Sequence, residues 1–299
     1  MPPVDATASV RARIEAIPVL ERFVSRIEPR LEQGHEAFWE CVDDFQELLN
    51  SNVLCDLANY ELHKIHTDPQ YLPELASETQ MTIIRRARYG LDLKIIPANT
   101  PSAMRLYSPT EHFLAGVSAG TSATVELYEQ PQPFPNEIFD PSRRLINKGT
   151  RHLQSGEALS LRAGYDIFRL QGTNASPIVL LTFSTDFVLR LRWEYDPATL
   201  LPTRIIAADP MSSRLEFACK MLAQFASQSS VGPLKNLVQN HPDHFVRWSA
   251  LKNLLDLNFQ EGVELLQQAL NDPHPHVRNA ARKSLESLKA HSAAEPAHA

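Results

Sequence analysis

The chain has 299 residues, with 29 lysines and arginines against 35 aspartates and glutamates, for a formal charge of −6. Hydrophobic residues make up 43%, enough for a sizeable core, and the length fits about two domains. Basic residues are scattered among acidic ones, which argues against nucleic acid as a partner, and no apolar run is long enough to span a membrane.

The first 90 residues read as helical. Val10, Ile14, Ile17, Leu20, Phe23 and Ile27 recur at steps of three or four, with Pro18 bending or dividing the stripe and Gly34 stopping it. "HEAFWECVDDFQELLNSN" repeats the pattern through Phe38, Val42, Phe45 and Leu48. A third helix is expected over "VLCDLANYELHKIH" and a fourth over "ETQMTIIRRARYG", ending at Gly90. Cys41 and Cys55 lie in these stripes and read as core packing. With Cys219 they form no Cys-x-x-Cys pair, and the start lacks a signal-peptide core, so a cytoplasmic protein with reduced thiols is expected. His63 and His66 share a helical face near a helix end. They are either a metal pair with Glu61 or Asp68, or a surface pair favoured by the C-terminal dipole.

Around Leu91 the pattern changes. Short segments from "LDLKIIPAN" to "PTRIIAAD" are rich in β-branched and aromatic residues and separated by turn residues, which predicts an antiparallel sandwich or barrel. In "VLRLRWEY", alternation places Leu189 and Leu191 on one face and Arg190, Arg192 and Glu194 on the other. With Arg105, Tyr107 and Arg169 on other strands, these arginines are candidates to grip a carboxylate or phosphate bidentately. The alternative is a solvated face whose arginines pair with Glu194 or Glu126. Common nucleotide-binding loops are absent, and "GVSAG" has strands on both sides, which makes Ser118 a turn residue rather than a hydrolase nucleophile.

The stretch "INKGTRHLQSGEALSLRAGYDIFRL" places strands between glycine turns. It resembles the second half of a cupin, a small double-stranded β-helix barrel, and the resemblance covers about Leu91 to Ala208. Where that family carries a metal-binding histidine, this chain has Phe168, or Asp166 in a slipped register. For the family's first motif only Glu111 and His112 are available. The resemblance implies either a barrel without a cofactor or a mononuclear iron site. In the second case the ligands would be His112, His152 and a carboxylate such as Glu111 or Asp166.

After Asp209 helices return. "MSSRLEFACKMLAQFASQ" carries Leu215, Ala218, Leu222 and Phe225 on one side. Two copies of one pattern follow at an offset of 31 residues, matching at Asn240/Asn271, Pro242/Pro273, Val246/Val277, Arg247/Arg278, Ala250/Ala281 and Leu254/Leu285. Asn-x-Pro ends a first helix and Val-Arg opens a second, whose apolar face cannot be covered by one hairpin alone. These copies resemble the HEAT-repeat family over roughly Ser212 to Leu288. The resemblance implies docking of a protein partner and a structural role for Arg247 and Arg278, each reaching an acidic neighbour in the next hairpin. His241, His244, His274 and His276 recur at the repeat turns and read as polar turn residues that bind metal at most adventitiously.

The expected protein is α+β: N-terminal helices (1–90), a cupin-like antiparallel β-barrel (91–209), HEAT-like α-hairpins (210–290) and a flexible tail (291–299). The expected function is non-catalytic binding or regulation, with a small-molecule ligand in the barrel and a protein partner on the hairpins. The alternative is an iron-dependent cupin-type oxygenase.

Overall fold

Pro18 divides the first helical stripe. Helix α1 (Ala6–Ala16) ends before it and α2 (Pro18–Leu31) begins on it, where the missing N–H has no intrahelical partner to lose. The structure is a computed structural model, describing residues 6–68, 70–71, 77, 79–118, 120–132, 135–171, 176–225 and 228–294. The expected turns at 72–76, 133–134 and 172–175 and the end of the tail, 295–299, lie outside the described residues. Two units are present, residues 1–206 and 207–299.

In the first unit a 3-10 turn (His35–Cys41) leads into α3 (Val42–Leu49), followed by α4 (Val53–Thr67). The fourth expected helix is not a helix. Its residues form β1 (Gln80–Arg85) and the start of β2 (Tyr89–Ile96), paired antiparallel with Gln80 opposite Lys94. Thr82, Ile83 and Ile84 are β-branched, stiff at χ1 and suited to a pleated surface. Cys55 also departs from expectation: Cys41 is buried, whereas Cys55 is exposed.

Three further strands complete a five-stranded sheet. β4 (Glu111–Val117), β7 (Ala158–Leu161) and β9 (Ile178–Val188) extend the order β1-β2-β9-β4-β7. A second sheet runs β6-β5-β8, from β5 (Ala123–Glu129), β6 (Ile146–Leu153) and β8 (Asp166–Leu170). A third runs β11-β10-β3, from β3 (Leu106–Tyr107), β10 (Leu191–Tyr195) and β11 (Pro202–Ala207). Among the described residues the three ladders do not join, so the expected barrel is not closed.

One face of the five-stranded sheet is covered by the helices. Phe23, Ile27, Phe38, Phe45 and Leu48 pack with Ile83, Leu91, Leu114, Leu181 and Phe183 in one core. Arg13 is 1% exposed; its Nε donates to Glu61 at 3.0 Å and its Nη1 to the Ile83 carbonyl at 2.9 Å, tying α1, α4 and β1 together. Gly116 on β4 permits this close approach: a Cβ there would stand 2.2 Å from Leu49 Cδ1 and 3.0 Å from the Glu157 carbonyl. The other face supplies Ala115, Val117 and Leu180 to a core shared with Val125 and Leu153.

In the second unit, α5 (Pro210–Gln224) is capped by Asp209, whose side chain accepts from the amides of Met211 and Ser212. It stops short of the expected Gln228. The hairpins follow as α6 (Val231–Asn240), α7 (His244–Leu257), α8 (Phe259–Gln268) and α9 (Pro275–Ala294). Leu234, Ala250, Leu254, Leu266, Val277 and Ala281 form their core, so the repeat positions do face inward.

Candidate functional site

Strand alternation sorts the candidate residues of the first unit. On β4, His112 belongs to the helical side: its ring meets Trp39 at 5.3 Å, and its Nδ1 accepts from the Ala163 amide at 2.9 Å. Its neighbours Glu111 and Phe113 line a cleft of about 590 Å³, together with residues of β2, β3, β8, β10 and the segment 97–110.

Arginines line one wall of the cleft. Arg105, Arg169 and Arg192 border it, with Tyr107 beside them and Phe113 and Phe168 supplying apolar surface. The three guanidinium groups differ in what already holds them. Arg169 stands directly opposite Glu126 across the β5–β8 ladder and donates to it through Nε at 2.7 Å. Arg105 lies 3.6 Å from both Glu194 and Asp196. Arg192 stacks over the Tyr107 ring at 4.6 Å, and among the described residues its buried Nε has no hydrogen-bond acceptor. Burial pulls the Arg192 guanidinium below the usual arginine value. Across the cleft, burial pushes the Glu111 carboxyl up, with Arg85 opposing the shift.

Arg190 is not part of this wall. The ladder of β9 ends at Val188, the Leu189 amide turns to the Thr110 carbonyl at 2.6 Å, and Arg190 is exposed in the break before β10. The expected pairing of Arg190 with Arg192 on one strand face is therefore corrected. Lys94, Phe113 and Phe168 border the cleft without having been expected to; alternation from Glu111 was the signal for Phe113.

The expected iron ligands stand apart. His112 belongs to the helical side and Glu111 to the cleft. Asp166 accepts from Arg162 Nε at 2.7 Å and Nη2 at 2.9 Å, and exposed His152 meets the Thr124 hydroxyl at 3.2 Å. Among the described residues, these side chains make no cluster with ligand-atom spacing, and a cupin-type metal does not fit them.

Such a cluster does occur in the second unit. Ligand atoms of His244, His274 and His276 lie within 4.8 Å of one another. The rings of His244 and His274 stack at 3.5 Å and 5°, and His276 meets them edge-on at 6.0 and 5.1 Å. Burial, then the two neighbouring imidazoles, pushes His244 down to about 4. Beside the cluster, Arg247 donates through Nε and Nη2 to Asp272 at 2.9 and 2.7 Å, and through Nη1 to the carbonyls of His241 and Pro242. Arg278 repeats the carbonyl contacts, to Asp272 and Pro273.

Residues 204–286 match the family of HEAT repeats. Among curated proteins, none matches the chain. Similar solved structures include hydroquinone 1,2-dioxygenase PnpCD in complex with Cd2+ and 4-hydroxybenzonitrile, at 16% identity and a TM-score of 0.28, over 38% of this chain and 66% of that one. They include the vicilin from Solanum melongena, at 13% identity and 0.28, over 44% of this chain and 34% of that one. A cupin domain from Bordetella pertussis Tohama I matches at 11% identity and 0.24, over 36% of this chain and 90% of that one. The chain thus spans just under two thirds of the dioxygenase chain and about one third of the vicilin chain. Residues 204–286 thus hold HEAT-like helical hairpins.

Proposed function

We propose that this is a non-catalytic binding protein whose cleft takes a small organic anion and whose hairpins dock a protein partner. The observation that carries the reading is Arg192. A buried N–H without an acceptor is costly, and a carboxylate or phosphate in the cleft would supply that acceptor with charge assistance. Tyr107, Phe113 and Phe168 offer surface for an apolar or flat ligand body, while Arg105 and Lys94 add positive charge. The reading needs no cofactor and places the protein in the cytoplasm. HEAT repeats generally bind proteins, and the exposed Met211, Phe217 and Phe225 of the second unit are surface a partner would cover.

Calorimetric titration with a panel of aromatic and aliphatic carboxylates and phosphates tests the cleft. At least one class is expected to bind, and Arg192→Met should weaken it by about tenfold to a hundredfold, the worth of a charge-assisted hydrogen bond. Binding unaffected by Arg192→Met would sink the reading, as would no binding by any class.

The pH dependence has a definite sign. Glu111 titrates above the usual carboxylate range, and its neutral form tolerates an anion that its ionised form repels. Affinity should therefore fall as pH rises through that raised value, and Glu111→Gln should flatten the profile.

A further inference from the structure

We propose that His244, His274 and His276 form a binding site for a divalent transition-metal ion that clips two successive helical hairpins together. Three imidazoles suit Zn2+ and its neighbours in the transition series, and leave room for a water as a fourth ligand. His244 opens α7, while His274 and His276 stand at the start of α9, so one ion would bridge turns about 30 residues apart. Their ligand atoms already fall within 4.8 Å of one another.

The surroundings hold the site in place. The Arg247 fork joins the turn at His241 and Pro242 to Asp272, and Asp272 Oδ1 also accepts the His274 amide at 2.7 Å. The backbone at His274, and the turn that leads into His244, are thus held by an ion pair that belongs to the repeat pattern itself. The N-terminal dipoles of α7 and α9 oppose a cation, and the carboxylates of Asp243 and Asp272 at the same turns offset them.

Two adjustments accompany metal entry. An imidazole lone pair lies in the ring plane, so the parallel rings of His244 and His274 must splay before both address one ion. His274 Nδ1 accepts the His276 amide at 3.2 Å, and ligation through this ring changes its tautomer or exchanges that hydrogen bond for a coordinate bond. Both are small beside the ligation of three imidazoles.

The test uses the full chain without a histidine tag, stripped with a chelator and titrated calorimetrically with Zn2+. One equivalent is expected to bind and to raise the melting temperature, and chelation should reverse the gain. His244→Ala and His276→Ala should each weaken binding by more than about tenfold, given that second-shell changes alone cost ten- to hundredfold. His241→Ala lies in the same turn but outside the triplet, and should bind as the parent does. Far-UV circular dichroism of the two triplet variants shows whether the hairpins persist. If a variant unfolds, His276→Asn replaces it. Sub-stoichiometric uptake would overturn the site. Equal weakening by His241→Ala, or undiminished binding by folded triplet variants, would do the same.

Discussion

Arg247 and Asp272 show how a single pair can set the geometry of a turn. Both side chains are 9% exposed and joined at 2.7 Å. Removing one partner leaves the other buried and uncompensated, so Arg247→Met should cost about 3 to 5 kcal/mol, measured by urea unfolding. Burial alone would raise the Asp272 carboxyl, but hydrogen bonds from Arg247 and from the His274 amide outweigh it and hold the value below the ordinary range. The folded state therefore binds this proton less readily than the unfolded chain. The stability from the pair is fully present above about pH 4 and is lost as pH falls through the depressed value. In Arg247→Met this acid-side loss should shrink. The arginine was legible because it recurs at a fixed offset. The differences among the cleft arginines were not, since they depend on cross-strand register. Arg169 is neutralised by Glu126, a partner the sequence offered as the alternative, but only the cross-strand register shows which arginine takes it.

Elements were legible where a period persisted over ten or more residues. α2 and the paired hairpins follow directly from their stripes. β1 did not, because the arginine- and alanine-containing run after Ile84 imitates a helix, while three β-branched residues and pairing with β2 decide for a strand. The break between β9 and β10 was hidden for a related reason: alternation continues in the letters through Leu189 and Arg190 although the ladder stops. Gly116 illustrates what an element needs beyond pattern. Valine would suit an isolated strand, yet Gly116→Val would drive methyl groups into Leu49 and the Glu157 carbonyl. The expected cost is about 1 to 3 kcal/mol, read as a lowered melting temperature, and no loss in that variant would refute the close approach of α3.

At the scale of the molecule, the cores of the first unit and the core of the hairpins draw on separate residues. Calorimetry of the full chain should resolve two transitions. Leu254→Ala, at a fully buried position in the second unit, should lower one of them by about 2 to 5 kcal/mol of stability and leave the other in place. A single transition that shifts as a whole would contradict this independence.

The helices and the sheet of the first unit offer no such seam. Phe183 on β9 meets the Phe23 ring edge-on, the Phe38 ring at a tilt and the Phe45 ring in a stack, from three different helical segments. Anyone dissecting this chain with scissors should therefore avoid position 90. A fragment beginning there would carry Leu91, Leu114, Leu181 and Phe183 bare to water, and would be recovered from the insoluble pellet rather than the supernatant.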